Sequence, residues 1–433
     1  MRKPARTGML LAFACALSIE GQQQPDAAPL LTLADCIRMA LAVPSAVSLA
    51  KLDRAIADRD LSIARAGYLP HASASFGTVY TSPSQVNRET FAFIPANAIR
   101  EYYGLGRIFQ EIDTSGRIRA EMARARANQQ AAQASAGIAE RDLKRAVSQA
   151  YYRLLLARKL VVAIRSSLEE SQAFEHRVKL LAEGGEAARA DVVKASTQVA
   201  ILRQTLTSAE LAATLANQDL AAYWTNDAAT LLEIQDVFDQ AAGEQPQPGS
   251  AAGSAAPYRR RFEFSLLDAQ RTGFLADAKR TKAALFPQLS LGFTYGLDSY
   301  RVDWQHRGYA ATAGVTFPVF DWFRTLHGAR QFAARAQQVS ETRAIAERRY
   351  SQEYLAAVAR TNRLLEQIAQ AREQVSLTEE DFKLSRIRYE GGEGAAVDVV
   401  VAQNQLVQAR ASYYTNIANY LSAKLDLEVA AGR

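Results

Sequence analysis

The sequence predicts a mixed α and β chain built as two copies of one structural unit, each supplying two strands and a set of long coiled-coil helices. Three observations carry that reading. A Glu-Gly-Gly-Glu turn followed by an Asp-Val-Val run occurs twice, as Glu183–Glu186 with Asp191–Val193 and as Glu390–Glu393 with Asp398–Val400, 207 residues apart. A Leu69-Pro70 or Phe286-Pro287 step opens an alternating segment in each half, at a spacing of 217. Two proline-free tracts, Ser115 to Ala182 and Phe323 to Tyr389, keep helical character over a length that at 1.5 Å per residue is about 100 Å.

The elements follow in order. Arg2, Lys3 and Arg6 precede an apolar stretch from Met9 to Leu17 and then Gln22-Gln23-Gln24-Pro25, the layout of a secretory signal over residues 1–21. Cys15 follows Leu11-Ala12-Phe13-Ala14, an imperfect lipoprotein box; it is a candidate lipidation site, and the alternative is a cysteine inside a removed leader. A first repeat is expected over 31–225, a low-complexity linker over 226–257 and a second repeat over 258–429. Within the first repeat, Leu33 to Tyr68 reads as one helix stopping at Pro70, and Phe262 to Leu285 stops at Pro287 in the same way, because proline has no amide for the next helical bond.

Beyond each proline the period changes to two. Leu289, Leu291, Phe293 and Tyr295 alternate with Ser290, Gly292, Thr294 and Gly296, and Ala72, Ala74, Phe76, Thr78 and Tyr80 repeat the pattern more weakly. Return strands are expected over Tyr309 to Phe320 and about Tyr102 to Phe109. From these residues alone a strand facing lipid and a half-buried strand of a soluble sandwich are equally open, and Arg107, in phase with Leu105 and Phe109, counts against lipid for one strand. The first copy is nine residues longer between Pro70 and Asp113 than the second between Pro287 and Asp321, which places an insertion there.

In the first long tract Leu143, Val147, Ala150, Leu154, Ala157, Val161, Ile164 and Leu168 step by fours and threes, a coiled-coil seam, and Tyr354, Val358, Thr361, Leu365 and Ile368 do the same in the second. Each tract ends at a glycine pair suited to closing a helix, and return helices are expected over about Ala190 to Trp224 and Val397 to Val429.

Composition limits the function. The net charge of +6 falls to about +4 without Arg2, Lys3, Arg6 and Glu20, with no aromatic-interleaved basic patch, so nucleic acid is not an expected partner. His71, His176, His306 and His327 are scattered, and no metal spacing, phosphate loop or nucleophile motif accompanies them, so neither an enzyme nor a cofactor is indicated. Cys36 has no partner for an intrachain disulfide once the leader is gone. After the leader no apolar run reaches about 18 residues, which excludes a helical membrane span but leaves a β-barrel open.

The order of helix, proline, strand pair, Phe317-Pro318-Val319-Phe320-Asp321, giant helix, and Arg388-Tyr389 through Asp398-Val399 to Ala402-Gln403 and Leu406 resembles the TolC-like outer membrane efflux family over about Leu31 to Leu427. The resemblance implies a homotrimer whose four strands per chain close a twelve-stranded barrel in outer-membrane lipid above a periplasmic α-barrel. It implies an exit duct that passively conducts substrates delivered by an inner-membrane pump through a periplasmic adaptor. By the same resemblance Gly184, Gly185, Gly391 and Gly392 form the periplasmic tips where the adaptor docks, Asp398 is the constriction carboxylate, and Tyr389 with Asp191 forms a latch. The family's second constriction carboxylate would fall at Val401 and a latch arginine at Gly394, so a weakly closed state is implied. Ala188 and Ala395 replace a capping serine. The competing reading from another class is a non-conducting periplasmic coiled-coil adaptor or scaffold, which leaves the strand following proline in both copies unexplained.

Overall fold

The computed structural model describes residues 30–82, 100–227, 229–244 and 256–433. The expected leader, Cys15, residues 83–99 of the segment between Pro70 and Asp113 where the insertion is expected, and the low-complexity residues 245–255 lie outside the described residues.

Helix α1 (Leu33–Ala42) starts at Thr32, whose hydroxyl accepts the Asp35 N–H while the Asp35 carboxylate accepts the Thr32 N–H, both at 3.2 Å. The expectation of one unbroken helix from Leu33 is corrected here. Pro44 holds Val43 extended, at φ −97° and ψ 160°, and a separate helix α2 (Ala46–Ala66) begins after it. The Ser48 hydroxyl accepts the Ser45 N–H at 2.9 Å to start that second helix.

Strand β1 (His71–Tyr80) follows Pro70 directly, and β2 (Arg100–Ile112) returns antiparallel to it. Helix α3 (Arg117–Glu183) then runs for 67 residues to the first glycine turn, and α4 (Arg189–Ala221) comes back. A short helix α5 (Phe238–Ala242) precedes the second repeat, which is α6 (Phe262–Ala283), β3 (Gln288–Ser299), β4 (Arg307–Thr316), α7 (Arg324–Glu390, again 67 residues) and α8 (Ala396–Ala430). Strand β4 ends before the expected Phe320, because Pro318 cannot donate to the ladder.

The four strands form one antiparallel sheet in the order β1-β2-β3-β4. Helices α2, α3, α6 and α7 pack side by side in the matching order, each continuing the strand it adjoins. Residues facing each other across an antiparallel ladder share a face, so the register assigns every side chain. One face carries Phe76, Tyr102, Ile108, Ile112, Leu289, Leu291, Phe293, Tyr295, Leu297, Tyr309 and Val315, with Gln110 and Arg307; the other carries Ser73, Ser75, Arg107, Ser290, Gly292, Thr294 and Thr312, with Tyr103, Leu105 and Phe109 of β2. The apolar face runs ten residue steps from Tyr102 to Ile112, which at about 3.4 Å per step and a tilt of about 40° is about 26 Å of height, the span of an outer-membrane hydrocarbon band.

Among the described residues no helix packs over this sheet, and Phe76 is 80% and Tyr309 77% exposed. A soluble sandwich would cover those rings. Arg107 pairs across from Ser73 and Thr294, so the expectation that it faces lipid is corrected: it stands on the polar face. The alternation within β2 misleads because Gly104 and Gly106 occupy the apolar face without side chains.

The main core sits where α1, α3, α4, α5 and α8 meet. Tyr151, Leu154, Leu220 and Phe238 are fully buried, and Cys36 fills space among them. The Tyr151 hydroxyl donates to the Gln235 carbonyl at 2.6 Å, beside a parallel bridge from Leu31 to Ile234. Leu232, Ile234 and Phe238 are thus packed structure, which shortens the linker expected over 226–257. Composition hides this because only isolated apolar residues of that stretch enter the core.

An ionic network ties the repeats together at the start of α6. Arg141 of α3 and Arg261 both hold Glu263, each at 2.9 Å, while Arg261 also reaches Glu353 of α7 at 2.8 Å and lies 3.8 Å over the Tyr350 ring. Burial alone would raise the Glu263 carboxyl, but hydrogen bonds from Arg261 and Arg141 outweigh it and hold it at about 2. A carboxyl lowered by folding stabilises the fold above its unfolded value and ceases to do so as pH falls through the folded one. We therefore expect the thermal midpoint to fall between about pH 4.5 and about pH 2, and to fall less in Glu263→Gln. Equal losses in both proteins over that window would contradict the assignment.

Candidate functional site: the helical tips and the channel wall

Both long helices end in the same hydrogen-bonded turn. After α3 the Glu186 N–H donates to the Leu181 carbonyl at 2.8 Å and the Gly185 N–H to Ala182 at 3.2 Å; after α7 the Glu393 N–H donates to Arg388 at 2.9 Å and the Gly392 N–H to Tyr389 at 3.1 Å. This is the Schellman closure, which needs a left-handed residue at its fifth position. Gly185 and Gly392 supply it at φ +79° and +77°, whereas Gly184 and Gly391 are right-handed at φ −75° and −81°. Only the second glycine of each pair is conformationally required. A Cβ at Gly185 or Gly392 would meet nothing within 4 Å, so both tips point into open space.

Above the tips α3, α4, α7 and α8 share a small apolar core of Phe174, Val178, Ala195, Phe382, Val399 and Leu406. Tyr389 is buried in it at 8% exposure, with its ring edge-on to Phe174 at 5.3 Å. Its hydroxyl is buried without a hydrogen-bond partner among the described residues. Burial raises the Tyr389 hydroxyl pKa, and the nearby Asp191 carboxylate adds to the rise. Asp191 itself faces Lys194 at 3.6 Å. The two side chains are neighbours with no hydrogen bond between them.

At the second tip Ala395 cannot cap α8 with its side chain, and the Asp398 carboxylate accepts the Ala395 N–H at 3.3 Å instead. That is half of a capping box, and it leaves Asp398 exposed at the helix start, where the positive end of the dipole favours a carboxylate. Val401 is exposed three residues further along.

Sequence reading missed the tie between the two return helices. Gln198 Nε2 donates to Asn404 Oδ1 at 2.7 Å and Asn404 Nδ2 to Gln198 Oε1 at 3.3 Å, joining α4 to α8; Gln403, 1% exposed, donates to the Ser167 carbonyl at 2.9 Å. The available signal was an amide interrupting the apolar stripes Ala195-Val199-Leu202 and Ala402-Leu406. Buried amides persist where they are paired.

The sheet and the paired hairpins define the class: a subunit of an outer-membrane channel, one sheet face for lipid, the other for an aqueous lumen, above a long helical extension into the periplasm. The sequence profile described as "Outer membrane efflux protein" matches residues 36–226 and 259–433. The chain belongs to the outer membrane efflux protein family.

A relative from Pseudomonas aeruginosa, the pyoverdine export outer membrane protein OpmQ, is 25% identical over 307 residues, which are 68% of this chain and 62% of the relative. The match thus spans less than two thirds of that protein. The fold is that of the Campylobacter jejuni CmeC outer membrane channel, with TM-score 0.84 at 16% identity over 92% of this chain and 85% of the other. A membrane protein from Pseudomonas aeruginosa superposes with TM-score 0.82 at 20% identity over 92% of both chains.

Proposed function

We propose that three copies of this chain form the exit duct of a tripartite efflux or secretion system, receiving substrate from an inner-membrane pump through a periplasmic adaptor seated on the glycine tips. The observation that carries the reading is the unfinished sheet. Strands β1 and β4 are both edges, and lipid offers nothing to satisfy their free backbone groups, so closure with further copies is required. Two copies would give eight strands, whose interior is filled by side chains; three give about twelve, the smallest closed multiple that leaves a lumen. A periplasmic scaffold would instead leave a face about 26 Å high in water.

The flanking helix supports the same closure. On α2, Leu49, Leu52, Ile56 and Ile63 are 59 to 70% exposed at steps of three, four and seven, a coiled-coil seam with no partner among the described residues of its own chain. At the other side of the chain lies α7, so the seam of one copy meets α7 of the next. Ile56→Asp puts a charge into that seam, and we expect it to remove the oligomer from heat-modifiability gels and to abolish export. An intact oligomer in that variant would count against the arrangement.

Three Asp398 carboxylates around the axis would favour cations at the tip. Since the Tyr389 hydroxyl makes no hydrogen bond among the described residues and Gly394 and Val401 carry no charge, the resting closure is held mainly by packing. Purified protein in planar bilayers should therefore show a readily opened channel whose conductance changes little in Tyr389→Phe. A tightly shut wild type that Tyr389→Phe opens would contradict this.

A further inference from the structure

From the sheet register we infer that Arg107 forms a basic ring halfway along the barrel lumen, making that stretch selective for anionic solutes. The inference rests on the trimeric duct proposed above and adds a specificity element to it.

The register isolates this charge. Its own row across the sheet is Ser73, Arg107, Thr294 and Ala310. The rows on either side along the same face are Ser75, Leu105, Gly296 and Gly308, and His71, Phe109, Gly292 and Thr312. Across these rows Arg107 is the only arginine or lysine, no carboxylate is present, and His71 is the only other titratable group. The next acids on this face are Glu111 and Asp298, each four residues away along the strand, about 13 Å at the rise of a strand. Glu111 is already occupied, its carboxylate held by Arg117 Nε at 2.9 Å. Arg107 is exposed and forms no ion pair among the described residues. The small residues beside it in its own row, Ser73, Thr294 and Ala310, leave the guanidinium room to extend inward.

Twelve strands about 4.8 Å apart and tilted by about 40° put the backbone about 12 Å from the axis. An extended arginine covers about half of that distance, so three guanidinium groups stand within about one Debye length of any solute passing at 0.1 M salt. Their fields add, because a closed ring of one chain type repeats the same sign. Solutes meet a carboxylate ring at the tip and a guanidinium ring in the barrel, so the two ends of the duct prefer opposite charges.

The test is the reversal potential of purified protein in planar bilayers under a low-salt potassium chloride gradient, for wild type, Arg107→Gln and Arg107→Glu. Oligomer yield is read first on a heat-modifiability gel; if Arg107→Glu does not assemble, the Arg107→Gln step alone decides. We expect the chloride-to-potassium permeability ratio to fall roughly fivefold from wild type to Arg107→Gln and further in Arg107→Glu, with unit conductance retained. Because Asp398 is the same in all three proteins, its cation preference cancels in the comparison. Equal ratios in conducting channels would overturn the Arg107 ring and leave the duct intact, whereas a wild-type trimer that never conducts would overturn the duct itself.

Discussion

Gly296→Val is expected to leave no heat-stable oligomer and no export. Gly296 lies where β3 of the second repeat pairs with β2 of the first, opposite Leu105. A Cβ there would come within 2.0 Å of the Gly104 carbonyl oxygen and 3.0 Å of the Leu105 Cα, and its φ of +157° suits no branched residue. Backbone atoms cannot swing aside as a side chain can, so the two strands must part. Parting them opens the sheet between the repeats, exposing a row of unpaired amides and carbonyls to lipid, where each costs several kcal/mol. Gly308, on the same row of the neighbouring strand, would meet nothing within 4 Å, so Gly308→Val is the matched control. A Gly296→Val protein with wild-type oligomer would show that the β2–β3 register is wrong.

The second large effect is expected at the tips, and it separates docking from assembly. Gly392→Trp and Gly185→Trp place a large side chain in open space and impose a left-handed conformation that costs about 1 to 2 kcal/mol. The sheet and the main core around Tyr151 lie far along the helices of 67 residues, so oligomer and bilayer conductance should match wild type. Adaptor binding should weaken, since a seat disturbed by about 1.4 kcal/mol loses tenfold in affinity, and export should drop toward that of a strain lacking the channel. Gly184→Ala, at a right-handed position, should do little. Wild-type export from both tryptophan variants would remove the docking assignment.

How much of this was legible depends on which signal each part carries. The duplication, both long helices and their ends could be read because proline, paired glycines and three-four spacing act locally, within a turn or two. Strand faces were legible in β3, where Leu289, Phe293 and Tyr295 alternate cleanly with small polar residues, and not in β2, where glycines blank the apolar face. Arg107 could be placed only by its partners Ser73 and Thr294, from segments far away in sequence. The break at Pro44 was visible as a residue but not as a bend, since an early proline can also sit in the first turn of a helix. Residues 232–238 were lost to composition: a few apolar side chains in a polar stretch carry no period, yet Phe238 is fully buried.

At the tips, the glycine pairs announced the turns, but the division of labour within each pair emerged only from their φ angles. The Gln198–Asn404 tie links the two copies across 206 residues, and no local pattern could pair them. The same distance explains why Asp191 and Tyr389, matched by resemblance, prove to be neighbours without being bonded.

The central claim is that a four-stranded sheet becomes a channel only by closing with two further copies. Native mass measurement on protein extracted from outer membranes in mild detergent tests it most directly. Three chains in one particle are predicted, and a particle of one or two chains would contradict the account, because neither four nor eight strands can enclose an open lumen.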